Sequence, residues 1–467
     1  MTHQQSVIAG HGPTAAQMRR AVVAASFGNI VEWFDFVAYG LLATTIAAHF
    51  FTPAGDAGGA GPLLLTFATF GVGFVARPVG GFVIGLFGDR RGRKPALILS
   101  IALMGLSTGA MAIIPDYNAI GVSAPILLVL ARLVQGFAAG GEWGGAASFL
   151  VEWASKDRRG LFGSVHIAMI FVGTVTGSFM IAALTSTFGS AFMSDWGWRI
   201  PFAFGGLIAL VALPFRAKAE ETPVFVEEKV QDAELDTDAG GLVALSKGEL
   251  TRKLILTSFL VGMQSAAVYT FTAYFPSFAQ KYVKVNGELM GSGQALLANA
   301  IASVVVIVVA ISSGAVSDRI GRKPVMLASC LAVLVLTYPL IQLVLHTDSF
   351  LAVLLIQSTL AAAVAIFLGC MPAFLVELYP TRIRVAGLSS AYNSSSAVFG
   401  GFAPLIATAF IAATGTPAAA SFWVIIRLSS RPWPCSCSRR RVEWRSNDTW
   451  THRAINARGL PMTPGGV

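Results

Sequence analysis

Apolar runs of about 20 residues follow one another along most of this 467-residue chain, each long enough to cross a hydrocarbon core of ~30 Å as a helix. The runs predict helices near 21–48, 62–88, 96–114, 124–153, 161–184, 199–215, 254–279, 294–316, 325–346, 350–378 and 385–413. A twelfth begins near Ala418 and stops. Only 12% of the residues are charged, against about 25% in an ordinary soluble domain, so the chain reads as an all-α membrane protein with no soluble domain of useful size. The first segment, "MTHQQSVIAGHGPTAAQMRR", lacks a signal peptide's apolar core, and the first helix is expected to double as the targeting signal. Four scattered cysteines, Cys330, Cys370, Cys435 and Cys437, suggest neither a disulfide framework nor a metal site.

Lys and Arg concentrate in cytoplasmic loops, so their placement tests the segmentation. Of the 33, 20 fall in segments on one side of the predicted helices and two, Lys281 and Lys284, on the other. The N-terminus is therefore expected to be cytoplasmic. The formal charge of +9 is not a nucleic-acid footprint, because +6 of it lies in the tail that starts at Arg427.

The sequence also repeats. "GDRRGRKP" at 88–95 returns as "SDRIGRKP" at 317–324, and "FLVEWASKDRRG" from Phe149 aligns with "FLVELYPTRIRVAG" from Phe374. Two independent motifs at nearly one offset imply two copies of one unit, two six-helix bundles related by a pseudo-two-fold axis along the membrane normal. That architecture binds substrate at mid-depth between its halves. The expected organisation is an N-terminal segment 1–20, a first bundle 21–215, an inter-bundle loop 216–253, a second bundle 254–426 with an incomplete twelfth helix, and an Arg-rich tail 427–467.

Within the repeated loop, Gly88 and Gly92 permit a turn, Asp89 can pair with Arg93 or cap a helix end, and Pro95 suits a first helical turn. A solvated charged turn would explain one copy but not two, and a conformational latch is expected at Gly88, Asp89, Arg90, Gly92, Arg93 and Lys94 and at Asp318, Arg319, Gly321, Arg322 and Lys323. Glu152 and Glu377, in the repeated "FLVE", are placed to pair with loop arginines.

The other charges lie inside apolar runs, where a central charge costs roughly 2.5–3.5 kcal/mol and usually faces a protein interior or a water-filled cavity. In "GNIVEWFDFVAYG", Asn29, Glu32, Asp35 and Tyr39 follow at spacings of three, three and four and share one helix face, which should look into the cavity. On helix 4, Arg132, Gln135 and Glu142 lie on one side among glycines that allow close helix approach. Two readings stay open: a helix 1 carboxylate, Asp35 before Glu32, carries a coupling proton, or Glu32, Asp35, Glu142, Arg77 and Arg132 form permanent buried ion pairs. Glu142 and His166 are further candidates in proton coupling, although a lone His is commonly a hydrogen-bonded helix contact. An anionic substrate needs a fixed cation, and Arg77, deep in helix 2, offers its planar fork to a carboxylate. Arg199 beside Trp198 could anchor the outer end or guide substrate inward, and Tyr269, Tyr274 and Gln264 could line the second half of the cavity or simply pack.

"GDRRGRKP" and "SDRIGRKP" resemble the signature loops of the major facilitator superfamily, where that loop stabilises the outward-facing state. "GNIVEWFDFVAYG", "ARPVGG" from Ala76, "RLVQGFAAGGEWGGAA" from Arg132 and "WGWRIPF" from Trp196 look like its metabolite:proton symporter branch, whose members carry organic acids or zwitterions such as proline and betaine. The resemblance covers residues 20 to about 413 and implies proton-coupled uptake of a small organic acid by alternating access, with no cofactor, a small-molecule substrate and a proton as partners, and a monomer in the lipid bilayer of a bacterial inner membrane. A carrier of zwitterionic osmolytes and a non-transporting sensor on a transporter fold are the alternatives. No nucleophile–base pair, metal cluster or Walker A pattern points to an enzyme or an ATP-driven pump.

After "SFWVII" the text changes character, with eight Arg, no Lys and three Trp from Arg427 on. The nine apolar residues Ala418–Ile426 would reach about 13 Å as a helix, too short to span. Translation out of frame from near Arg427 fits this shift better than a functional tail.

Overall fold

In a computed structural model of the chain, which describes residues 14–52, 60–234 and 246–429, eleven helices are long and apolar enough to cross a membrane. Helices 1 to 6 are Ala15–Leu41, Ala60–Arg91, Arg93–Ile113, Ser123–Trp153, Arg159–Phe192 and Arg199–Lys218. Helix 7 runs Lys247–Val268, passes through a π-helical turn at Tyr269–Tyr274 and continues as Phe275–Tyr282. Helices 8, 9 and 10 are Ser292–Ile320, Arg322–His346 and Phe350–Leu378. Helix 11 is Arg384–Ser396, a π-helical turn Ala397–Gly401 and Ala403–Thr414. A short antiparallel hairpin pairs Lys284–Val285 with Glu288–Leu289 between helices 7 and 8.

Several boundaries differ from the sequence reading. Helix 1 ends at Leu41, and the rest of its apolar run is a separate helix, Ala43–Phe50. Helix 5 reaches Phe192 rather than 184, past a non-helical Gly189. The segment 216–253 is not simply a loop: Arg216 is buried inside the first bundle, Pro223–Glu234 is helical, and helix 7 starts at Lys247. Hydropathy marks lipid-facing length, so it misses amphipathic turns that extend a helix beyond the apolar layer.

The twelfth apolar segment forms, among the described residues, a 3-10 turn, Pro417–Ala419, and a ten-residue helix, Ala420–Ser429. Arg427 lies within that helix, its guanidinium 3.8 Å from the Phe399 ring centroid. The rest of the tail, with Cys435 and Cys437, lies outside the described residues; Cys330 and Cys370 are buried free thiols.

Close helix approach sets the first bundle. Helix 4 presents Gly136 and Gly140 to the backbone of helix 2 at Gly73 and Arg77, where an added Cβ would overlap main-chain atoms. Helices 2 and 4 therefore pack backbone to backbone, as small residues permit when lipid supplies no hydrophobic drive.

The two bundles meet at the end that carries the repeated basic loops. Asp89 of helix 2 accepts the backbone N–H groups of Val385 and Ala386 in the first turn of helix 11, at 3.0 and 2.8 Å. Asp318 of helix 8 accepts those of Gly160 and Leu161 in the first turn of helix 5, at 2.8 and 2.9 Å. Each acid thus satisfies orphan donors at a helix N-terminus in the opposite bundle and meets the positive end of its dipole. The sequence left Asp89 to pair with Arg93 or to cap a helix; it does both, with the Arg93 contact at 3.4 Å.

Candidate functional site

The repeat-related loops hold more than two caps. Gly92 and Gly321 adopt φ values of 115° and 94°, so each turn needs a residue without a Cβ. Arg93 donates to the Thr381 carbonyl of the second bundle at 2.7 Å and lies 3.3 Å from Glu152, which also receives Arg384 of helix 11 at 2.6 Å. In the second copy, Arg322 pairs with Asp318 at 2.7 Å and with Glu377 at 3.4 Å. The Lys94 backbone N–H is accepted by Glu221, a residue sequence reasoning missed, which also accepts from the Arg93 N–H. Burial pushes the Glu221 carboxyl above its ordinary value, against the backbone donors that pull it down. The Arg90 and Arg319 side chains are exposed at the ends of helices 2 and 8, outside this junction.

Deeper in the first bundle, helices 1, 2 and 4 enclose a cavity of about 330 Å³ of atom-free space, mouth included, lined by Glu32, Asp35, Phe36, Phe70, Gly73, Phe74, Arg77, Arg132, Gln135, Gly136 and Ala139. Four charges face one another there as two pairs. Arg77 lies 3.0 Å from Glu32, and Arg132 lies 2.9 Å from Asp35.

Each guanidinium also lies against aromatic rings. Arg132 sits 3.5 Å from the Tyr39 centroid, and Arg77 sits 4.8 Å from Phe74 and 5.6 Å from Phe36. Such contacts add roughly 0.5–2 kcal/mol each, depending on desolvation. Arg132 donates in addition to Gln135, whose amide donates to Thr108 on helix 3 at 2.8 Å. Tyr39 anchors its hydroxyl on the Thr66 carbonyl at 3.1 Å. The second bundle approaches through Tyr269, whose ring is 6.4 Å from both Trp33 and Phe74.

The remaining sequence candidates lie elsewhere. Glu142 forms a buried pair with Arg216 of helix 6, and both also bond Ser100 on helix 3. His166 is fully buried, 2.8 Å from Asn29, with Trp143 edge-on at 5.0 Å and stacked in turn on Tyr392 of helix 11. Arg199 lies over Trp198 and donates to the carbonyls of Ala112 and Ile114, which anchors the N-terminal end of helix 6. Tyr274 accepts from Thr408 and lines a small apolar pocket near the twelfth segment. Gln264 is buried, with its Oε1 unpartnered, and does not line the cavity.

Sequence reasoning also missed the aromatic shell. Phe70, Phe74 and Arg77 follow at spacings of four and three on helix 2, and that pattern is the signal which would have placed the rings on the arginine's face.

The family profile described as Major Facilitator Superfamily matches residues 25–404. The chain belongs to the major facilitator superfamily. This transporter is 35% identical over 411 residues to a citrate-proton symporter of Klebsiella pneumoniae, covering 86% of this chain and 88% of that one. It is 34% identical over 411 residues to a Staphylococcus aureus protein named for proline/betaine transport, covering 88% and 86%. Among solved structures, the superfamily's proton:xylose symporter XylE bound to 6-bromo-6-deoxy-D-glucose matches with a TM-score of 0.75 at 17% identity, over 89% of this chain and 94% of that one, a likeness of fold. The superfamily's members carry solutes across membranes, so the chain is a transporter and not an enzyme.

Proposed function

We propose that this transporter takes up a small organic acid together with protons by alternating access, in the inner membrane of a bacterium, as a monomer with its N-terminus in the cytoplasm. The observation that carries this reading is the facing of two guanidiniums, Arg77 and Arg132, by two helix 1 carboxylates, Glu32 and Asp35, in one cavity. Guanidinium is always charged and matches a carboxylate fork to fork, so the cavity can recognise an organic anion. Carboxylates held against it supply a group whose protonation can be exchanged for that anion. The citrate-proton symporter among its relatives supports the same substrate class.

The basic loops would lie on the cytoplasmic side, following the Lys and Arg bias. The contacts of Asp89, Asp318, Arg93 and Arg384 would then hold that side shut, and their release would open it. Helices 1 to 6, ending at Lys218, and the helices from Lys247 onward act as the two rocking halves, joined by the segment between them.

A second reading has a specific observation behind it. Phe36 and Phe74 flank Arg77, and Trp33 and Tyr269 pack beside these rings, an aromatic surface that also suits a quaternary ammonium group. Uptake of labelled citrate, 2-oxoglutarate and glycine betaine into proteoliposomes, with and without an inward proton gradient, separates the two. Gradient-driven accumulation of an acid supports the first reading. Accumulation of betaine alone would replace it with the second.

A further inference from the structure

The two ion pairs of the cavity are built differently. Arg132 is enclosed: besides Asp35 it has Gln135 as an acceptor and Tyr39 beneath it, and Gln135 is tied to Thr108. Arg77 has Glu32 as its acidic partner among the described residues, and its other surroundings are ring faces and the open cavity. Glu32 holds Arg77 through Oε1; its Oε2 is buried without a partner, as are Asp35 Oδ1 and Arg132 Nε and Nη2, so the pairs differ in the Gln135 and Thr108 bracing that only Arg132 has. One pair is braced by a polar network and the other is held by a single contact.

We propose that Glu32 is the coupling carboxylate. A substrate carboxylate takes its place on Arg77 as Glu32 takes up a proton, while Asp35 and Arg132 stay paired through the cycle. The inference rests on the reading of this chain as a proton-coupled carrier of carboxylates and names the residue where proton and substrate exchange.

Charge balance supports the exchange. Before substrate arrives, the cavity holds two guanidiniums and two carboxylates, which sum to zero. A bound carboxylate alone would leave one uncompensated negative charge in a low-dielectric interior, an arrangement that is strongly penalised. A proton taken from the access water onto Glu32 restores the balance at Arg77, and the substrate carboxylate that docks there takes over the contact that Glu32 gives up. One proton therefore accompanies each carboxylate that docks on Arg77. On the other side of the membrane the steps reverse: Glu32 releases its proton, reclaims Arg77 and expels the substrate.

The other groups that face Glu32 are already committed. Asp35 on its own helix is matched by Arg132, and Glu142 of helix 4 is matched by Arg216 of helix 6. His166 of helix 5 is bonded to Asn29. From the second bundle, Tyr269 of helix 7 and Tyr392 of helix 11 approach, and neither is a cation. No second base therefore competes with Glu32 for Arg77 among the described residues.

The test is equilibrium binding of radiolabelled 2-oxoglutarate and glycine betaine to purified protein. Their carboxylates stay ionised between about pH 6 and pH 8, so any pH dependence belongs to the protein. One linked proton makes the parent bind roughly tenfold tighter for each unit of fall in pH above the coupling group's own pKa. Glu32→Gln should bind with no such slope and at the tight limit, whereas Glu32→Asp and Asp35→Asn should keep the slope. In the parent, infrared difference spectra on adding the probe should show a protonated-carboxyl band that is absent from Glu32→Gln. A slope that persists in Glu32→Gln, or disappears in Asp35→Asn alone, overturns the displacement while leaving the transport reading intact. If neither probe nor citrate binds the parent at any pH, the substrate class falls, and the displacement with it. Glu32→Asp, which keeps a carboxyl, should show the same band at a shifted frequency, so a poorly folded Glu32→Gln does not remove the test.

Discussion

Asp89 accepts the Ala386 backbone N–H at 2.8 Å across the interface between the bundles. The repeat-related contact, Asp318 to the Leu161 N–H, is 2.9 Å long. One chemical device, a carboxylate on a helix N-terminus, is used twice in opposite directions. A cap of this kind contributes about 0.5–2 kcal/mol.

Asp89→Asn or Asp318→Asn should therefore loosen the closed basic end. In a background without the four native cysteines, a Ser389→Cys probe on the face that meets Gly144 should react several-fold faster with a membrane-impermeant maleimide added from that side. The double variant should react faster still. Unchanged labelling would mean that the caps do not hold the junction.

Arg77→Lys keeps the charge but loses the planar fork. Affinity for citrate should fall at least tenfold, the order expected when a charge-assisted hydrogen bond of about 1.5–3 kcal/mol is weakened. Undiminished affinity in binding assays would place the substrate carboxylate elsewhere.

Glu142→Gln should act on stability before coupling. It leaves the Arg216 guanidinium buried without its counter-charge, which costs about 3–5 kcal/mol when one member of a buried pair is removed. The melting temperature in detergent should drop, and Glu142→Gln with Arg216→Met should recover much of the loss. A normal melting temperature with lost proton-driven accumulation would instead make Glu142 part of the proton path.

Gly140→Ala tests the backbone contact between helices 2 and 4. The added methyl meets the Arg77 carbonyl, so helix 2 must shift and carry Arg77 with it. Substrate affinity should fall several-fold while Glu142 and Arg216 remain paired. Equal affinity would show that the helices can separate without moving the site.

The helices were legible because span length is set by the bilayer and the basic loops punctuate it. The paired caps were half legible: the repeat placed Asp89 and Asp318 in equivalent positions, but not their partners, which begin helices of the other bundle. Ion-pair partners were left open for a similar reason, since Glu32 and Arg77 are 45 positions apart in sequence and only packing brings them together. Arg216 was counted as a loop cation, although it is 1% exposed. The aromatic shell was hidden because lipid-facing and cavity-facing residues share one composition. Phe74 is 7% exposed and Phe82 on the same helix is 52% exposed, and only the spacing of Phe74 from Arg77 distinguishes them locally. Amphipathic periodicity, so informative in water, fades when both faces of a helix are apolar.

The π-helical turns at Tyr269–Tyr274 and Ala397–Gly401 lie within helices 7 and 11 of the second bundle, where Gly400 packs on the Tyr269 ring, and a third, Met193–Gly197, joins helices 5 and 6 of the first. Helices 1, 2 and 4, which carry every charge of the cavity, contain no such turn. A widened turn has already given up regular hydrogen bonding, so bending there costs less than breaking an intact helix. Widened turns and cavity charge are thus assigned to different helices. The helices that must keep guanidinium and carboxylate in register carry no widened turn, and helices 7 and 11 can flex beside them, so the electrostatic sensor can stay in adjustment while the pathway around it changes shape.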